Sequence, residues 1–126
     1  MVKYNKWTTT PITSAAWISV CYGNGKFVAV NNNGTNFAEY SYDGINWNTT
    51  PITSASWNSV CYGNGKFVAV AANSSIGAGY SYDGINWNTT SITDANWYSV
   101  CYGNCKFVAV GYSIVGYSYF KRACVY

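Results

Sequence analysis

Apolar and polar positions alternate along this chain in short runs, and the runs return at a spacing of about forty residues. In Trp57-Asn-Ser-Val-Cys-Tyr62, Val60 and Tyr62 fall on one side while Ser59 and Cys61 fall on the other, the period of a half-buried strand. Gly63-Asn64-Gly65 follows as a hairpin signal, because an Asn-Gly pair tolerates the positive φ of a type I′ turn. The pattern then predicts a second strand over Lys66–Ala71, a polar loop over Asn73–Gly77 and a third strand over Gly79–Tyr82. Asp83-Gly84 turns into a fourth strand around Trp87–Thr90, and segments such as Pro51–Ser56 cross to the next unit. No stretch carries a helical apolar period, so the fold class is all-β.

The repeats run Trp7–Asn46, Trp47–Asn86 and Trp87–Tyr126, and SVCYGNGKFVAV is nearly constant among them. A fixed period of this length means one supersecondary unit stacked on copies of itself, within a single repeat domain of residues 1–126. Each predicted sheet has a bulky face and a small-residue face, which stack on one another as blades do in a propeller.

Composition adds limits. The 126 residues suffice for one core, only 9% are charged, and the net charge of +3 is spread with Lys26, Lys66 and Lys106 once per repeat. That spacing lacks the clustering of a nucleic-acid groove. No apolar run reaches the length of a membrane span, and the first residues lack the apolar core of a signal peptide, so cytoplasmic synthesis is expected. Of five cysteines, Cys21, Cys61 and Cys101 share one repeat position and read as small core residues. Cys105 and Cys124 stand outside that register, and spacing alone leaves a bridge between them open.

Ser81, Asp83, Gly84 and Trp87, with their twins Ser41, Asp43, Gly44 and Trp47, resemble the Asp-box of sialidase-type (BNR) β-propellers. The wider repeat is similar to repeats of phage tail and bacterial surface proteins. The resemblance implies a structural turn: the carboxylate accepts turn N–H groups, the glycine takes a special dihedral and the tryptophan covers the turn. The sialidase box has one more residue between Asp and Gly, so no catalytic role is carried over. A virion-associated location is implied by the same resemblance.

Enzymatic chemistry has little to build on. Arg122 is the sole arginine, histidine is absent, and the carboxylates are Glu39, Asp43, Asp83 and Asp94. Paired-carboxylate catalysis, triads and most zinc sites lack their residues. No catalytic residue, metal or cofactor is expected.

Comparing the repeats, variation concentrates in the loop between the second and third strands and, less, in the crossings. The candidate binding residues there are Asn31, Asn32, Asn33, Asn36, Asn73, Ser74, Ser75, Asp94 and Tyr112. They suit a non-catalytic recognition module, phage-like or lectin-like, for a glycan or a surface protein. The alternative is a purely structural or engineered repeat propeller without a ligand.

Three units cannot close a propeller, which takes about 4 to 8 blades. The third repeat carries Phe120, Lys121 and Cys124 where Asp83, Gly84 and Trp87 align, while Trp7-Thr-Thr-Thr10 reads as an orphan fourth strand. The expectation is therefore a homodimer of six four-stranded blades, in which residues 1–10 complete the last blade of a partner chain. The rival fold is a β-trefoil monomer, which also uses three such units.

Overall fold

The computed structural model describes residues 6–33, 35–72 and 75–119. Eleven strands form three antiparallel sheets, each a meander in which sequence neighbours pair. The first sheet contains β1 (Trp17–Gly23), β2 (Lys26–Asn31), β3 (Phe37–Ser41) and β4 (Asn48–Pro51). The second contains β5 (Ser56–Gly63), β6 (Lys66–Ala72), β7 (Ala78–Ser81) and β8 (Asn88–Thr90). The third contains β9 (Trp97–Gly103), β10 (Lys106–Gly111) and β11 (Ile114–Tyr119), and no fourth strand joins it among the described residues.

The hairpins form where the chain permits left-handed backbone. Asn24 and Gly25 lie at φ 48° and 78°, and Asn64 and Gly65 at 46° and 85°. In the third hairpin Cys105 replaces the glycine at φ 65° and is held in a disulfide. Cys21, Cys61 and Cys101 are free thiols, and Cys124 lies outside the described residues. Each first strand carries a register shift at the same place, at Ile18, Asn58 and Tyr98.

Sheets stack in chain order, with β1 against β5 and β5 against β9. The bulky face of one sheet covers the small face of the sheet before it. Val60, Phe67 and Ala69 of the second sheet close over Val28, Val30 and Cys21 of the first. Val100, Phe107 and Ala109 repeat the arrangement over Val70 and Cys61. Burial in these two cores pushes the Cys21 and Cys61 thiols up to about 12. Trp57 and Trp97 are fully buried, each donating its indole N–H to the carbonyl four residues earlier, Thr53 at 3.0 Å and Thr93 at 2.9 Å.

Polar latches fix the relative height of neighbouring sheets. The Val60 N–H donates to Ser19 Oγ at 3.1 Å, the Asn58 amide to the Trp97 carbonyl at 2.8 Å, and the Thr50 hydroxyl to the Ile85 carbonyl.

The all-β expectation holds, in three antiparallel sheets. Among the described residues one chain closes neither a ring nor a barrel, and the trefoil alternative requires a barrel. The third unit has three strands among the described residues; the fourth was expected from residues 1–10 of a partner chain. Trp7–Thr10 lies outside any strand, with Trp7 92% exposed.

Candidate functional site

At one edge of the sheets lie the two constant turns. Ser41 is buried, and its Oγ donates to Asp43 Oδ1 at 3.0 Å while accepting the Gly44 N–H at 2.7 Å. Asp43 Oδ1 accepts the Ile45 and Asn46 N–H groups at 2.8 Å each, and Oδ2 accepts the Asn46 side-chain amide at 2.9 Å. Gly44 sits at φ 78° and its carbonyl takes the Trp47 indole N–H at 3.2 Å. Ser81, Asp83, Gly84 and Trp87 repeat every one of these bonds. The Asn46 and Ile45 N–H groups hold the Asp43 carboxyl well below the usual carboxylate range. At Asp83 partial burial pushes the other way, yet the Asn86 and Ile85 N–H groups prevail and its carboxyl is also held low. With their acceptor sites filled from within the turn, both carboxylates act as clasps.

The variable segments form separate corners, one per sheet. In the first, Asn31 is buried and committed inward: its amide donates to the Phe37 carbonyl at 3.0 Å, and its Oδ1 accepts Thr35 Oγ1 at 2.8 Å and the Asn33 N–H at 3.3 Å. Asn31 thus organises the loop and leaves the surface to others. Asn33 and Asn36 are exposed and Asn32 is half-buried. Asn33 Oδ1 accepts the Ala16 N–H, and the Asn36 carbonyl accepts the Ile52 N–H at 3.1 Å, so this loop is tied to the crossings on either side.

In the second sheet Ser75 is exposed beside a small cleft of 240 Å³ that it shares with Ile76, Thr90 and Ser91. Asn73 and Ser74 lie outside the described residues. In the third sheet Asp94 and Tyr112 are exposed at one corner, where the Tyr112 N–H donates to the Asn96 carbonyl at 3.3 Å. Asn31, Thr35 and Phe37 form a loop clasp that sequence variation alone does not reveal, because an Asn-rich run reads as surface.

A cavity of 740 Å³ separates the second and third sheets, lined by Lys66, Val70, Tyr80, Ile92, Phe107 and Tyr117 among others. At the corresponding place between the first two sheets, the Gly84 turn fits against Val28 and Phe67, and Trp87 packs on the core. Burial holds the Lys66 ammonium below the usual lysine range, with its Nζ 5.2 Å from the Tyr80 ring centre and 5.9 Å from that of Phe107.

The two ends of the stack are open and unlike. Val20 on the bulky face of the first sheet is 58% exposed, whereas its equivalents Val60 and Val100 are 4% and 6% exposed. On the small face of the third sheet Val110 is 43% exposed, against 0% for Val30 and 1% for Val70. Among the described residues no group of three His, Cys, Asp or Glu side chains gathers as a metal site.

Comparison with protein-family models gives no match for this chain, and no curated protein matches it.

Proposed function

We propose that this chain is a self-assembling, non-catalytic β-propeller subunit of recognition type, two copies of which close six blades. The observation that carries the reading is the pair of open ends. One end presents the bulky face that neighbouring sheets bury, the other presents the small face, and each is the mate of the other.

Closure also accounts for the exposed Trp7 and the unfinished third sheet. In the complete sheets Tyr40 and Tyr80 pair with Asn48 and Asn88. The same register sets Thr8 of a second copy opposite Tyr117, Thr9 opposite Gly116 and Thr10 opposite Val115. Trp7 of that copy then stands over the 740 Å³ cavity, in the role that Trp87 has between the first two sheets.

Under this reading the Asp43 and Asp83 turns are Asp-box turns that hold the blades. Recognition falls to the corners carrying Asn33, Asn36, Ser75, Asp94 and Tyr112, whose amides, hydroxyls and one aromatic ring suit glycan hydroxyls or a partner's polar surface. The near-identity of the repeats favours a second reading, a structural propeller without a ligand. A glycan array probed with the assembled protein separates them: selective binding lost on Asn36→Ala and Tyr112→Ala supports recognition, and no binding at millimolar sugar supports the structural role. Sedimentation tests the assembly itself, since a monomer at micromolar concentration defeats it.

A further inference from the structure

Gly23 and Gly63 end β1 and β5, and neither position has room for a side chain. A Cβ at Gly23 would fall 2.0 Å from the Tyr62 ring, and a Cβ at Gly63 would fall 2.0 Å from the Tyr102 ring. Each tyrosine of a following sheet is therefore seated on a glycine of the preceding one. Gly103, the third member of the series, has nothing within 4 Å of such a Cβ. The corresponding spare tyrosine is Tyr22, which is exposed on the first sheet.

The latching hydroxyls form the same series. Ser19 accepts the Val60 N–H and Ser59 accepts the Val100 N–H, each at 3.1 Å. Ser99 is exposed on the third sheet with no such neighbour among the described residues, and Val20 is exposed on the first. The turns follow suit. Gly84 is approached by Val28 and Lys26 of the preceding sheet, while the three nearest atoms at Gly44 all belong to Phe27 of its own sheet.

From these three series we infer that the third sheet of one copy receives the first sheet of a second copy, with Tyr22 seated on Gly103 and the Val20 N–H donated to Ser99 Oγ. This rests on the proposed assembly and deepens it by naming the contact. The occupant is a second copy of this chain because the empty sockets match, position by position, the plugs at its own opposite end. Val108 and Lys106 then approach Gly44 as Val28 and Lys26 approach Gly84. The contact is head to tail, so each chain uses both ends when two chains close a ring.

Leucine at Gly103 tests it. Among the described residues nothing lies within 4 Å of a Cβ there, so the fold is expected to be retained, whereas in the assembly the side chain occupies the seat of the Tyr22 ring. Sedimentation of the full-length Gly103→Leu chain is expected to show association weakened towards monomer, with a dimer dissociation constant raised about thirty-fold or more. Tyr22→Ser, on the opposite face, should do the same. Circular dichroism and urea unfolding of the diluted variants report whether each monomer is intact.

The Cys101 thiol gives a second readout. It is exposed on the small face of the third sheet, where Cys21 of the first sheet is covered by its neighbour. It should be protected from a thiol reagent in the native protein and labelled in Gly103→Leu. A native dimer whose Gly103→Leu form associates equally well and protects Cys101 equally would overturn this contact while leaving the six-blade assembly standing on another. A native monomer would remove both, and would leave the open faces to a different protein.

Discussion

The Ser59 hydroxyl accepts the N–H of Val100 across the junction between the second and third sheets, at 3.1 Å. Both residues are nearly buried, so the bond satisfies a donor on the open edge of β9 that water does not reach. Ser59→Ala should leave that N–H unpaired and cost about 1–3 kcal/mol in urea unfolding. Ser99→Ala removes the equivalent hydroxyl from an exposed position, so it should leave monomer stability unchanged and weaken association alone. Equal losses of monomer stability from the two variants would contradict the distinction.

The turn carboxylates predict a pH profile. Asp43 and Asp83 are held below the ordinary carboxylate value of about 4, so their stabilisation is complete above that pH and is lost as pH falls through the folded values. The urea midpoint should be flat from neutral pH to about pH 5 and decline below about pH 4. In Asp83→Ala, partly solvent-screened, the cost at pH 7 should be about 1–2 kcal/mol. The double variant Asp43→Asn with Asp83→Asn should lose most of the acid decline, and an unchanged decline would assign it to other carboxylates.

Glu39 is 1% exposed on β3, and both of its carboxylate oxygens lack a hydrogen-bond partner among the described residues. Its ladder equivalents are glycines, Gly79 opposite Ala69 and Gly116 opposite Ala109, where the rings of Trp57 and Trp97 stand close by. A buried carboxylate without partners is costly. Glu39→Leu is expected to stabilise the chain by about 1–3 kcal/mol in chemical denaturation, and a loss of stability would mean that the carboxylate has a favourable partner in the assembly.

The core thiols should be inert. Cys21 and Cys61 are pushed up to about 12 by burial, so at pH 8 almost no thiolate is present and neither should react with a disulfide reagent until the protein is unfolded. Fast labelling of two or more thiols in the folded protein would place the stacked faces apart.

Alternation and turn chemistry made the strands legible. Lys66–Ala71 was expected and β6 spans Lys66–Ala72, because Phe67 and Ala69 face one core while Val68 and Val70 face the other. The Asn-Gly hairpins were equally plain. Which faces stay open was not, since Val20, Val60 and Val100 share the same Ser-Val-Cys-Tyr-Gly-Asn segment and differ in what is stacked on them. Asn31 misled for the opposite reason: a polar residue at a loop entrance is buried there because its amide satisfies the loop's own backbone. Glu39 sits in a segment whose twins carry glycine, and nothing in its neighbours along the chain signals burial.

The most direct test of the assembly is the sedimentation mass of the intact chain, measured across the micromolar range beside a chain lacking Met1–Thr10. The account predicts a species of twice the 13.8 kDa of one chain, and a truncated protein that aggregates or falls to an unstable monomer because the edge of β11 and the cavity beside it stay open. An intact chain sedimenting as a stable monomer at those concentrations would contradict it.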